Sequence, residues 1–127
     1  MTPGSPLKLS AYNSFCKSLP HTSHVVQWGG AHVWKVGGPK GKVFAIGWPE
    51  ESGLLVTFKV TPLAYDILKE QSGLRPAPYL ASRGMTWIQR TSSESMDDAA
   101  LKDYLRESHR LCAGALPKAR QRELGLI

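Results

Sequence analysis

The run Gly37-Gly38-Pro39-Lys40-Gly41-Lys42 sets glycines beside lysines, as a phosphate-binding loop does: glycine lets backbone amides converge on an anion, and lysine neutralises it. The spacing excludes a P-loop. Counting back from Gly41-Lys42, the first required glycine falls on Val36, Val43 replaces the hydroxyl residue that would hold magnesium, and the following residues read as strand. What remains is a hairpin tip whose Lys40 and Lys42 can each meet one phosphate. His21 and His24 form an H-x-x-H pair with His32 nearby, but no acidic or cysteine residue completes a ligand set, so no metal is expected. Glu50 and Glu51 are neighbours in a turn rather than carboxylates opposed across a pocket, and Asp97 and Asp98 read as the favoured negative start of a helix. His109 flanks a helical stripe, at the core boundary rather than in a proton relay. The chain has no G-x-S-x-G elbow and no C-x-x-C pair, so neither an enzyme nor a cofactor is expected.

A second candidate lies in residues 73–89, "GLRPAPYLASRGMTWIQ". Pro76 and Pro78 fix their own φ and disfavour helix at Arg75 and Ala77, which makes this crossing an extended, stiff connection. Arg75, Tyr79 and Arg83 are then offered with little ordering entropy left to lose, a way for a small domain to grip an anion. Arg75 has a structural alternative, an ion pair with a carboxylate on the final helix.

The elements that must position these groups follow from periodicity. Leu9, Tyr12, Phe15, Cys16 and Leu19 recur at helical spacing until Pro20. Four short β-rich runs follow, at residues 24–28, 32–36, 42–48 and 54–60, divided by glycine-rich turns as in an antiparallel meander. Thr61-Pro62 opens a short helix reaching about residue 71, residues 86–90 alternate as a further strand, and Leu101, Tyr104, Leu105, Ser108, Leu111, Cys112 and Ala115 keep helical period. Pro117 restarts a short basic helix with Lys118, Arg120 and Arg122. The order α-β-β-β-β-α-β-α predicts an α+β, two-layer sandwich, an antiparallel sheet with helices on one face. Alternation puts Thr57, Lys59 and Leu55 on the helix-free face together with Trp87 and Gln89, and Lys35 is a further candidate there. That set is aromatic and basic, the combination that stacks bases and pairs phosphates, although Trp87 can equally cover the edge of the core.

The 127 residues suit one domain, residues 1–127, and carry a net charge of +6. Residues 1–60 hold six lysines against Glu50 and Glu51, so an anionic partner is sought first in the strand-rich half. No apolar run approaches the roughly 18 residues of a membrane span, and the start lacks a signal peptide's hydrophobic stretch. A cytoplasmic protein is expected, with Cys16 and Cys112 as buried thiols.

Read together, "FCKSLP" (15–20), "QWGG" (27–30), "VGGPKGKVFAI" (36–46), "VTFKV" (56–60), "RPAPYLASRGMTWIQ" (75–89) and "LRESHRLCAGALPK" (105–118) resemble the MmcQ/YjbR family in order and spacing, over nearly the whole chain. The "GGPKGK" tip is longer than the family's usual glycine-lysine turn. The resemblance implies a fold similar to frataxin-like and secretion-chaperone-like domains, and DNA binding through a double-wing surface. Carried over by that resemblance, the surface comprises Trp28, Lys42, Lys59, Arg75, Pro76, Pro78, Tyr79 and Trp87. With the cations read from the residues, the candidate nucleic-acid contacts are Lys35, Lys40, Lys42, Lys59, Arg75, Arg83 and Arg90. The leading expectation is a non-enzymatic, weakly specific DNA-binding protein held by phosphate contacts. The alternative is a protein-interaction module, taking a peptide, a partner or a second copy in a groove around Trp28, Tyr79 and Trp87; an enzyme acting on an anionic small molecule comes third.

Overall fold

The structure, a computed structural model, describes residues 7–38, 40–50, 53–78 and 85–127. Helix α1 (Leu9–Ser18) leads into strands β1 (Thr22–Gln27), β2 (Ala31–Val36), β3 (Lys42–Glu50) and β4 (Gly53–Lys59). Helix α2 (Pro62–Leu68), strands β5 (Leu74–Pro76) and β6 (Trp87–Arg90), and helices α3 (Asp98–Gly114) and α4 (Lys118–Glu123) complete the chain. One six-stranded sheet has the order β1-β2-β3-β4-β6-β5, and all its pairings are antiparallel. This is the α+β sandwich that the periodicity predicts. The proline segment adds the short edge strand β5, with Pro76 opposite Ile88 at the sheet margin, where a residue without an N–H is tolerated.

The helix boundaries have local causes. The Thr61 hydroxyl accepts from the Ala64 amide at 3.2 Å with Pro62 behind it, and the Asp97 carboxylate accepts from the Ala100 amide at 2.8 Å. Leu19, ahead of Pro20, is already extended and closes α1.

The main core lies between the sheet and the helices. Tyr12 and Cys16 of α1, and Leu101, Leu105 and Cys112 of α3, pack on Trp34, Val36, Phe44, Val56, Phe58 and Ile88. A register shift between β2 and β3 lets the consecutive residues Phe44 and Ala45 both join this core, an irregularity that alternation alone does not anticipate. Ser108 of α3 clamps the layers: its hydroxyl accepts from the Lys59 amide at 2.9 Å and donates to the Phe44 carbonyl at 2.6 Å. Gly47 is needed for close approach, since a Cβ there would stand 2.6 Å from the Tyr12 ring.

The glycine-lysine tip serves the fold as well. Gly37 has φ +94°, its carbonyl accepts from Arg120 of α4 at 3.1 and 3.3 Å, and a Cβ at Gly41 would lie 1.9 Å from the Val36 carbonyl oxygen. These glycines bring two backbone segments together and seat α4. Residue 42 then starts a strand, which agrees with the rejection of a P-loop.

Candidate nucleic-acid interface

The face of the sheet away from the helices carries the candidate groups. Thr57 and Lys59 of β4 pair with Gln89 and Trp87 of β6, and Gln89 pairs in turn with Arg75 of β5. Alternation gives all five to the same face, opposite Phe58 and Ile88 of the core. Across β3, Ile46 and Trp48 share that face, with Ala31 and Val33 of β2 packed against Ile46.

Two adjoining clefts open there. The larger, about 490 Å³, is bounded by Trp28, Ile46, Trp48, Leu55, Arg75 and Pro78, with Glu50 at its margin and Thr57 and Gln89 in its floor. The smaller, about 320 Å³, lies among Trp28, Lys42, Lys59, Met85 and Trp87, and Cys112 and Ala115 at the end of α3 close one side. Trp28 and Ile46 line both. Trp28 stands in the turn between β1 and β2 with φ +53°, the left-handed region that a bulky L-residue avoids, and is 58% exposed. A side chain held at such a backbone angle yet left open to solvent gains little from burial.

A relay of polar groups fixes the cation of the larger cleft. Arg75 donates from Nε (2.8 Å) and Nη2 (2.5 Å) to the Gln89 side-chain oxygen, and the Gln89 amide nitrogen donates to the Thr57 hydroxyl at 3.3 Å. Gln89 and Thr57 are buried, so the relay orders an exposed guanidinium from beneath. No acidic side chain pairs with Arg75, Lys42 or Lys59 among the described residues. Among the described residues Arg75 is thus not ion-paired with a carboxylate of the final helix. In the smaller cleft, burial pushes the Cys112 thiol up from its ordinary value, opposed by the nearby charges of Lys59 and Lys42. Its sulfur donates to the Val43 carbonyl at 3.3 Å, as an inert core thiol would. The Trp87 indole N–H is buried with no acceptor among the described residues.

The sequence profile of the YjbR family matches residues 17–111. The chain belongs to the YjbR family. Its fold is similar to that of the Deinococcus radiodurans protein DR2400, whose family domain is DUF419: TM-score 0.79 at 24% identity, covering 98% of this chain and 91% of that one. A Pseudomonas syringae protein, a structural-genomics target, aligns with TM-score 0.66 at 14% identity, over 84% of this chain and 99% of that one. No curated protein matches.

On this YjbR-family fold the structure gathers Trp28, Lys42, Lys59, Arg75, Pro78 and Trp87 around the two clefts. Lys40 is exposed at the hairpin tip near Arg120 of α4, away from them, and Lys35 lines a separate shallow groove with Ser23 and Val25. Pro76 is exposed at the sheet edge. Tyr79 and Arg83 lie outside the described residues. Arg90 is a correction. Its alternation places it with Ile88 on the helix side, where it is 1% exposed, donates to the Met96 carbonyl at 2.9 Å and pairs with Asp98 at 3.0 Å. It ties the loop before α3 to the sheet and cannot meet a phosphate. Trp87 is on the expected face but is 5% exposed, so it forms a cleft wall rather than a platform.

Sequence reasoning passed over Trp48 and the role of Gln89. Trp48 shares its parity with Ile46, which a β3 reading could have carried forward. Gln89 gains its role from β5 lying beside β6, a pairing that no local pattern encodes. Of the three nearby histidines, His24 Nε2 meets His32 Nδ1 at 3.0 Å and stacks on Trp34 at 4.7 Å, and no cluster of three metal-ligating side chains occurs among the described residues.

Proposed function

We propose that the chain is a non-enzymatic DNA-binding protein that contacts phosphates through Lys59 and Arg75 of the helix-free sheet face and through Lys42, which reaches the smaller cleft from the start of β3 beside the end of α3. The observation that carries the reading is the convergence of three cations, none ion-paired to an acidic side chain among the described residues, on two clefts that share an exposed tryptophan. Phosphate contacts of this kind give affinity with little base specificity. The groups bordering the larger cleft, one carboxylate and one guanidinium over apolar walls, suit binding better than acid-base or nucleophilic chemistry. No helix among the described residues is long and apolar enough to cross a membrane, and the two cysteines are buried free thiols, which fits a reducing cytoplasm.

The test is fluorescence anisotropy of labelled DNA at roughly 50 and 200 mM salt, the span over which phosphate contacts weaken strongly. Affinity of the wild type should fall with log salt at a slope of about −2 to −3, as three phosphate contacts require. Lys42→Ala/Lys59→Ala should lower both affinity and slope, whereas the charge-matched Arg106→Ala/Arg110→Ala pair on α3 should change neither. Equal losses in both pairs would leave only a general effect of net charge. The largely apolar walls of the larger cleft favour a second reading, a peptide-binding module, and there binding would persist in salt.

A further inference from the structure

We propose that the larger cleft receives one unpaired base of single-stranded DNA, with the adjoining phosphate on Arg75. The inference rests on the DNA-binding reading and goes beyond it, from phosphate contact to the form of DNA preferred.

The walls supply its first ground. Trp28, Ile46, Trp48 and Leu55 enclose a recess of about 490 Å³, within the range of sites that take a small flat ligand. A surface that tracks phosphates alone has no use for such a recess. The faces of bases in a duplex are covered by their neighbours, and a paired base reaches a recess only by leaving the stack, an unfavourable step that a single strand does not need. Aromatic walls beside cations are the features that hold single strands, because every base offers a π-face.

The cation supplies the second ground. Gln89 occupies Nε and Nη2 of Arg75, while Nη1 has no partner among the described residues. The guanidinium is therefore oriented before any ligand arrives, with a donor still available to a phosphate oxygen. The buried Thr57–Gln89 pair is otherwise a polar intrusion into a sheet face. Glu50, at the margin, would repel a phosphate placed on it but can accept from the exocyclic amine of a base. The phosphate then belongs at the Arg75 side and the base edge at the Glu50 side. Across Trp28, Lys42 and Lys59 stand where the strand would continue.

The experiment compares three labelled probes of equal length at roughly 50 mM salt, the low-salt end of the phosphate-dependent range: a single strand, the same strand annealed to its complement, and an abasic strand that keeps the phosphates. The single strand should bind about tenfold more tightly than the other two, the loss expected for one stacked base. Trp48→Ala of confirmed fold should bring single-strand affinity down to that of the abasic strand. The abasic probe asks the same question without a variant. If all three probes bind equally, the base site is overturned while the phosphate reading stands; if none binds, both are overturned.

Discussion

The two faces of the sheet use polar groups in opposite ways. Beneath the helices polar side chains close contacts within the fold: the Tyr12 hydroxyl donates to the His32 carbonyl at 2.9 Å, the Trp34 indole to Asn13 at 2.9 Å, and Ser108 bridges β3 and β4. Arg90, at 1% exposure, is spent on Met96 and Asp98. On the far face the relay from Thr57 through Gln89 ends on a guanidinium that faces solvent, and Lys59 has no acidic partner among the described residues. Strand alternation thus divides one sheet into a side that holds the chain together and a side able to engage something else.

The sharpest way to break this contrast uses neighbours in sequence. Phe58 is fully buried in the main core, whereas Lys59 points to the open face. Phe58→Ala should destabilise the protein by about 3–5 kcal/mol, the usual cost of deleting a buried aromatic ring and leaving a cavity. Lys59→Ala should change stability by less than about 0.5 kcal/mol while lowering DNA affinity. Urea unfolding of both variants, with anisotropy on the second, checks the pair. A large stability loss at Lys59 would mean that the open face belongs to the core after all.

The same contrast explains what the sequence could reveal. Period-3.6 and period-2 patterns reported the buried side, because burial is what makes a pattern: Tyr12 and Cys16, Leu101, Leu105 and Cys112, and Val56 and Phe58 fall where spacing predicts, although Ala115 at the end of the stripe is exposed. Alternation in β4 and β6 also sorted Thr57, Lys59 and Trp87 correctly. Residue type misled at Arg90, which follows the alternation into the core but reads as a surface cation. A buried arginine is recognisable only through Met96 and Asp98, which the chain brings back from a loop. The site was the less legible part because it is assembled across strands. Trp28, Trp48 and Arg75 come from a hairpin turn, β3 and β5, and only the strand order joins them.

A second, smaller effect separates the faces by pH. Burial lowers the affinity of His109 for a proton, with the nearby His21 adding to this and a hydrogen bond to the Pro20 carbonyl opposing it. His24 is lowered as well, by burial first and then by His32, against which it packs. In both cases the folded protein binds a proton less readily than the unfolded chain, whose histidines titrate near 6.5. Their contribution is therefore complete above that value and is lost as pH falls through the folded values, since the unfolded chain takes up protons first. Thermal melts should show a declining Tm from pH 7 towards pH 5. His109→Gln, which keeps a donor for Pro20, should flatten part of that slope. Neither His109 nor His24 lines the two clefts, so DNA affinity per folded molecule should not follow the decline.

A small change in stability is expected at Trp28, which together with Ile46 is shared by the two clefts. Trp28 sits at φ +53° and is 58% exposed, so the fold holds a bulky side chain at an unfavoured backbone angle and gains little burial in return. Asparagine tolerates the left-handed region better, because its short amide can bond to the local backbone. Trp28→Asn should therefore leave stability unchanged or raise it by up to about 1 kcal/mol. Single-strand affinity should nonetheless fall, since both clefts lose a wall. Opposite movements of urea midpoint and DNA affinity would identify Trp28 as a residue kept for contact at the expense of the turn. A fall in both would instead make the indole a structural cover for Ile46, and the strain at residue 28 would then serve the core.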